Sequence, residues 1–336
     1  RVIGSLTCGK DSLLITHFDV DHYNGISEIH NWCKDFKFRK IYLPRYIYRD
    51  KGVYDTDIFF RDTIMYYAYL KLIGKPYRLD TLHAFFVDIK DMVHRITDIE
   101  CVGCPDRFRL GNYDVDVIWP DKDYKGKLFM PLFEELPFDE NDPELLERAR
   151  AVIEGYADAL AEVYMLYSGG EQFEISQDMV NYLYGELEDA YQRLDDFSGN
   201  VPELENNDSI SSAKIRNMNE CSVVIKSEDE LLALGDITPR ILKRIKGRYG
   251  TSYNILKVPH HGTKSYYYSG LPKSNYKLIS NSGPYRVDWS IDRRYYDVKT
   301  CICTNDNPAR CDSLARGMIE CANCNVTAKK NAVTKI

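Results

Sequence analysis

Four groups able to bind a divalent cation, His17, Asp19, Asp21 and His22, fall within the six residues His17-Phe18-Asp19-Val20-Asp21-His22. Carboxylates and imidazoles crowded at one place are costly to desolvate unless a cation neutralises them. A solvated polar turn is the bland alternative. The segment follows Leu13-Leu14-Ile15, an apolar run that reads as a buried strand. Continued alternation would point His17, Asp19 and Asp21 to one side, and Asn24-Gly25 supplies a turn that lets His22 join them. Two later segments carry the same types of group at strand ends: Leu231-Leu232-Ala233-Leu234-Gly235-Asp236, and Ile255-Leu256-Lys257-Val258-Pro259-His260-His261-Gly262-Thr263.

In order and in type, these three segments resemble the metallo-β-lactamase fold. Thr16 to Gly25 is similar to its signature, in a His-x-Asp-x-Asp-His form. Leu231 to Asp236 resembles the strand that ends in a metal-bridging aspartate. The Pro259-His260-His261-Gly262-Thr263 stretch resembles the hydrolase domain of the ComEC competence family. The resemblance implies an α/β fold, the αββα metallo-β-lactamase sandwich, here with a helical insertion. Members of that family run further strands before the histidine motif, so N-terminal strands are expected to be missing from the sequence as given.

The resemblance also implies a ligand set for two divalent ions. His17 and Asp19 would belong to one site, Asp21, His22 and His260 to the other, with Asp236 bridging. A third imidazole for the first site is expected between residue 45 and Asp236, where only His83 and His94 lie, neither in a matching motif; Asn219 stands where ComEC-like sequences carry an asparagine. An aspartate at position 19 hardens the set, moving preference from zinc toward manganese, with magnesium also compatible. Two such ions can activate a water and stabilise the leaving oxygen of a phosphodiester. Asp21 would orient that water or take its proton. His261 reads either as a proton donor to the leaving group or as a packing residue.

The expected activity is therefore that of a metal-dependent phosphodiester hydrolase, a nuclease acting on DNA. Standalone relatives occur in bacterial antiphage defence operons, where a helical insertion would dock a protein partner. Two alternatives stay open. One is hydrolysis of a small substrate such as a phosphorylcholine ester, a cyclic nucleotide or a lactone; the other is a non-catalytic interaction module with a vestigial metal site.

The elements that must position these groups follow from periodicity. Residues 26–36 read as a helix and 39–44 as a strand, while 55–96 carry apolar residues in helical order. Asn112 to Pro120 alternates as a half-buried strand does. Pro143 to Leu166 and Met179 to Leu194 form two amphipathic helices, expected to cap the active site or bind a partner. Strands resume at 222–226, 231–236, 254–258 and 277–283, with a helix over 241–249. The domains predicted are residues 1–120 and 206–290 as two parts of one core, 121–205 as the helical insertion, and 291–336 as a cysteine-containing C-terminal segment.

Composition narrows the class. The 336 residues are 44% hydrophobic with a net charge of −7, which suits a folded chain and argues against a surface basic all over. No apolar run approaches the roughly 20 residues of a membrane span, and nothing at Arg1 has the pattern of a secretory leader. Arg240, Lys243, Arg244, Lys246 and Arg248 form the densest basic stretch, either a track for a nucleic-acid backbone or a solvated helix face. Thr263, Lys264 and Ser265 are candidate phosphate-binding groups, and Tyr266-Tyr267-Tyr268 a stacking platform. The ten cysteines read as reduced thiols in a cytoplasmic protein, or, over Cys301 to Cys324, as a structural zinc site.

Overall fold

The computed structural model describes residues 6–45, 47–50, 53–56, 58–121, 124, 143–168, 175–198, 218–280, 292–295 and 300–303. Cys311, Cys321 and Cys324 of the suggested zinc site lie outside them. The chain divides into two compact units. One comprises Cys8–Cys101 with Asp123–Met218, the other Arg1–Thr7, Val102–Lys122 and Asn219–Ile336. This is a mixed α/β protein, as expected.

In the first unit, β1 (Ser12–Leu14) pairs in parallel with β2 (Lys40–Pro44), and β5 (Ile99–Val102) lies beside β2. The strands β3 (Ile47–Asp50) and β4 (Val53–Thr56) make a separate antiparallel ribbon. Helix α1 (Gly25–Trp32) starts at the Asn24-Gly25 turn. Helices α2 (Ile58–Leu72) and α3 (Tyr77–Asp91) follow, α3 burying Leu79, Leu82, Phe85, Phe86 and Ile89 at the three- and four-residue steps of one face.

Helices α4 (Pro143–Ser168) and α5 (Gln177–Ser198) form the hairpin read from the sequence. It is built into the first unit rather than laid over it. Tyr156, Leu160, Tyr164, Leu187 and Leu194 are fully buried, and α4 packs on α2. Tyr184 donates its phenol proton to the Phe86 carbonyl at 2.9 Å, Lys71 bridges Asp80 and Asp195 at 2.9 and 2.7 Å, and Tyr191 donates to Asp80 at 2.7 Å. The chain passes between the two units at 101/102, at 122/123 and again at 218/219.

The second unit is built on one seven-stranded sheet, in the order β12 (Thr300–Cys303), β11 (Lys273–Ile279), β10 (Ser252–Lys257), β9 (Leu231–Ala233), β8 (Val224–Ser227), β7 (Tyr113–Trp119), β6 (Arg107–Leu110). From β9 to β12 the strands are parallel; from β6 to β9 they are antiparallel. Helix α6 (Pro239–Ile245) begins with proline at its first turn, where no backbone donor is missed. Loops leaving the carboxyl ends of adjacent parallel strands are where open α/β sheets place their ligands, and here those loops begin at Leu234 and Val258.

Because the hairpin carries much of the first unit's core, Leu187→Ala is expected to lower unfolding stability by about 2–5 kcal/mol. Chemical denaturation checks this, and a hairpin that merely capped a finished fold would leave the midpoint unmoved.

Candidate metal centre

Strand geometry does not extend into the His17 segment. β1 ends at Leu14, and the chain turns into a 3-10 helix at Val20–His22 with Asp19 as its N-cap. His17 is fully buried, and its ring centroid lies 4.0 Å from that of His22. The hydroxyl of Thr16 stands 3.2 Å from the Nδ1 atoms of both rings. A hydroxyl oxygen can accept from two donors, so one threonine can fix both imidazoles with their Nε2 atoms as ligands. Asp21 comes within 3.9 Å of His22 Nε2. The ligand atoms of His17 and His22, and those of Asp21 and His22, lie within 4.8 Å of each other, so this His/Asp cluster could hold a metal ion.

Asp19 is used differently. Its Oδ1 accepts from the Val20 amide at 2.9 Å and from Arg78 at 2.6 Å. Burial acts against the Arg78 charge, yet the neighbouring Tyr67 and Asp19 hold the guanidinium firmly protonated. Tyr67 closes the knot: its phenol donates to the Phe18 carbonyl at 3.0 Å, and burial pushes its pKa up, so it remains a donor. Phe18 inserts among Phe85, Phe86 and Tyr164. The ligand loop is thus tied to α2, α3 and α4 by one cation, one phenol and one phenyl ring.

In the second unit the site grows from a close approach. Gly235 has φ of +51°, and a Cβ there would meet the Ser222 Cβ at 2.7 Å. Only glycine fits both the conformation and the space. The Ser222 hydroxyl accepts from the Asp236 amide at 3.1 Å, and the Gly235 carbonyl accepts from the His260 amide at 3.2 Å. The carboxylate of Asp236 is held at 2% residue exposure. His260 and His261 both take left-handed backbone, with φ of 42° and 60°. Non-glycine residues enter that region at a cost, typically where function demands it.

That backbone separates the two imidazoles. His261 presents Nε2 3.3 Å from Asp236 Oδ2, while its Nδ1 meets the Ser280 carbonyl. A histidine that donates from one nitrogen to a backbone carbonyl and offers the other has the arrangement of a metal ligand. His260 instead bonds Thr263 Oγ1 through Nδ1 at 3.0 Å and stacks on Tyr266 at 3.7 Å. Tyr266 in turn accepts from Asn219 Nδ2 at 3.0 Å. The structure therefore brings His261 to Asp236, and Thr263 serves as a brace for His260.

His83 packs flat on Tyr191 at 3.8 Å and bonds Glu188 at 3.1 Å. Among the described residues neither it nor His94 belongs to a ligand cluster. The basic stretch is also largely spoken for. Arg240 clamps Glu220, Arg248 bonds Asp121 and the Ile118 carbonyl, and Arg244 lies over the Trp119 ring at 5.1 Å and pairs with Asp121. These arginines fasten α6 and the turn after it to the sheet, although Arg240 and Arg244 stay exposed along with Lys243 and Lys246. Of the groups that matter, Arg78 and Tyr67 gave no sequence signal. Thr16, Ser222 and Lys257 lie in or beside the motif segments, and only the tertiary structure gives them a role.

No protein-family model, curated protein or solved structure matches this chain.

Two substitutions test how the ligands are held. Gly235→Ala should destabilise the fold by about 2–4 kcal/mol and move Asp236; thermal melting and metal titration read both effects. Thr16→Val keeps the volume but removes the shared hydroxyl, and should weaken metal binding about 10- to 100-fold. An unchanged affinity would show that Thr16 does not orient the rings.

Proposed function

We propose that this protein is a metal-dependent phosphodiester hydrolase, with nucleic acid, DNA first, as substrate. The observation that carries the proposal is the buried Asp236–His261 pair, its histidine on left-handed backbone, at the carboxyl ends of parallel strands. Backbone strain kept at a loop that faces a carboxylate with an imidazole fits ligand placement better than packing. The cluster of His17, Asp21 and His22 supplies further ligands of the same kind. This assigns His17, Asp21 and His22 as ligands in the first unit and Asp236 and His261 as ligands in the second, and gives Asp19 and His260 supporting roles.

With Asp19 bound to Arg78, the first unit offers two imidazoles and one carboxylate and the second offers one of each. Such a set suits zinc as well as manganese, and the resemblance to metallo-β-lactamase folds supports two ions. Bound there, the ions would supply a nucleophilic water at neutral pH and charge to offset the developing oxyanion. The chain's own residues do the rest. Asp21, the more exposed carboxylate, can accept the proton of the attacking water. Asp236, sealed from solvent, holds its charge in a fixed direction, and the Ser222 hydroxyl keeps its backbone in place.

Hydrolysis of a small phosphate ester is favoured by one observation: the arginines of the basic stretch are paired with carboxylates, which weakens the case for a long backbone track. The experiment is to incubate the protein with single- and double-stranded DNA, RNA and bis-p-nitrophenyl phosphate, with and without manganese. The proposal expects metal-dependent cleavage of the polymer, reduced at least about a hundredfold by Asp236→Asn. Turnover of the small ester alone would support the second substrate class. No turnover with any metal, together with no bound metal, would overturn both.

A further inference from the structure

Lys257 is the last residue of β10, flanked in register by Ala233 of β9 and Leu278 of β11. Its ammonium lies 3.8 Å from Asp236 Oδ1, on a side chain that is only 23% exposed. The pair sets a fixed cation beside the carboxylate that the proposed function gives to a metal. A divalent ion and an ammonium at such a distance from one carboxylate compete for its charge and repel each other, the more so where water is scarce. A lysine can survive that competition in a way a rigid cation cannot, because its four-carbon stem lets the head group swing while the stem stays packed.

We propose that Lys257 is the anion-binding residue of this site. It neutralises Asp236 before metal binds; once metal takes that carboxylate, it turns to a non-bridging oxygen of the substrate's phosphoryl group. The inference rests on the proposed metal-dependent function and adds to it a group that reads the anion. Lys257 forms and breaks no covalent bond; it supplies one positive charge where the phosphodiester is negative, as a compact point charge with three donors.

Two binding consequences follow. The ammonium opposes metal entry, so its removal should tighten metal binding. It is also released from Asp236 to meet an anion only when metal is present, so metal and phosphate should each strengthen the other's binding by the same factor. Manganese titration of the full chain, with and without inorganic phosphate, reads both effects. Wild type is expected to bind manganese about five- to tenfold more tightly when phosphate is present. Lys257→Met, similar in volume and uncharged, should bind manganese more tightly than wild type without phosphate and show no response to it. Lys257→Arg, which keeps the charge, should retain the phosphate response. Equal manganese affinities and equal phosphate effects in wild type and Lys257→Met, with both proteins folded by thermal melting, would overturn the role of Lys257 alone. Failure of wild type to bind any divalent metal would overturn the proposed function and this inference together.

Discussion

Gly235 passes so close to Ser222 that no side chain fits between them, and this approach determines where Asp236 stands. The Gly235 carbonyl also receives the His260 amide, so the loop after β9 fixes the start of the loop after β10. From there the left-handed turn at His260 and His261 sends one imidazole to Asp236 and the other to Tyr266. A single missing Cβ therefore governs the geometry of a carboxylate and two histidines. Burying a carboxylate this deeply is unfavourable unless its charge is met, and within the second unit the Lys257 ammonium stands 3.8 Å from it.

The ligand loop of the first unit is held by a different device. No glycine is needed at its centre; instead Asp19 caps the 3-10 turn and binds Arg78, while Phe18 is driven into the aromatic core between α3 and α4. The apolar anchor supplies most of the fixing energy, because burial of a phenylalanine side chain is worth about 1.5–3 kcal/mol, more than a partly exposed ion pair contributes. The ion pair gives direction. The helical hairpin belongs to this same device, since Tyr164 is part of the wall that receives Phe18. That explains why a segment that reads as an insertion folds as core.

Much of this was legible in the sequence. Apolar periodicity located the hairpin helices to within a few residues, since a helix stripe of Leu, Ala and Tyr over six or seven turns has no competing pattern. The strand at Asn112 to Pro120 alternated and was found. The strands at residues 47–56, 99–110 and 300–303 were not, being short and lacking a clean alternation. Candidate ligands could be named because histidine and aspartate at strand ends are few. Their partition could not. Whether His260 or His261 meets Asp236 is decided by two positive φ angles, and whether Asp19 faces a metal or Arg78 is decided by a helix more than fifty residues further along the chain. Both are tertiary facts that no local spacing encodes. The basic stretch shows the same limit: five cations in nine residues look like a nucleic-acid track until Glu220 and Asp121 are seen beside the arginines.

The central claim is that the His/Asp clusters are metal-ligand sets rather than satisfied polar groups. The most direct measurement is manganese binding to the full chain, by calorimetry and elemental analysis, in wild type, His22→Ala and His261→Ala. The account predicts bound metal in wild type and a loss of at least about tenfold in affinity in each variant, with both variants still folded. Full metal occupancy in both folded variants, or none in wild type, would contradict it.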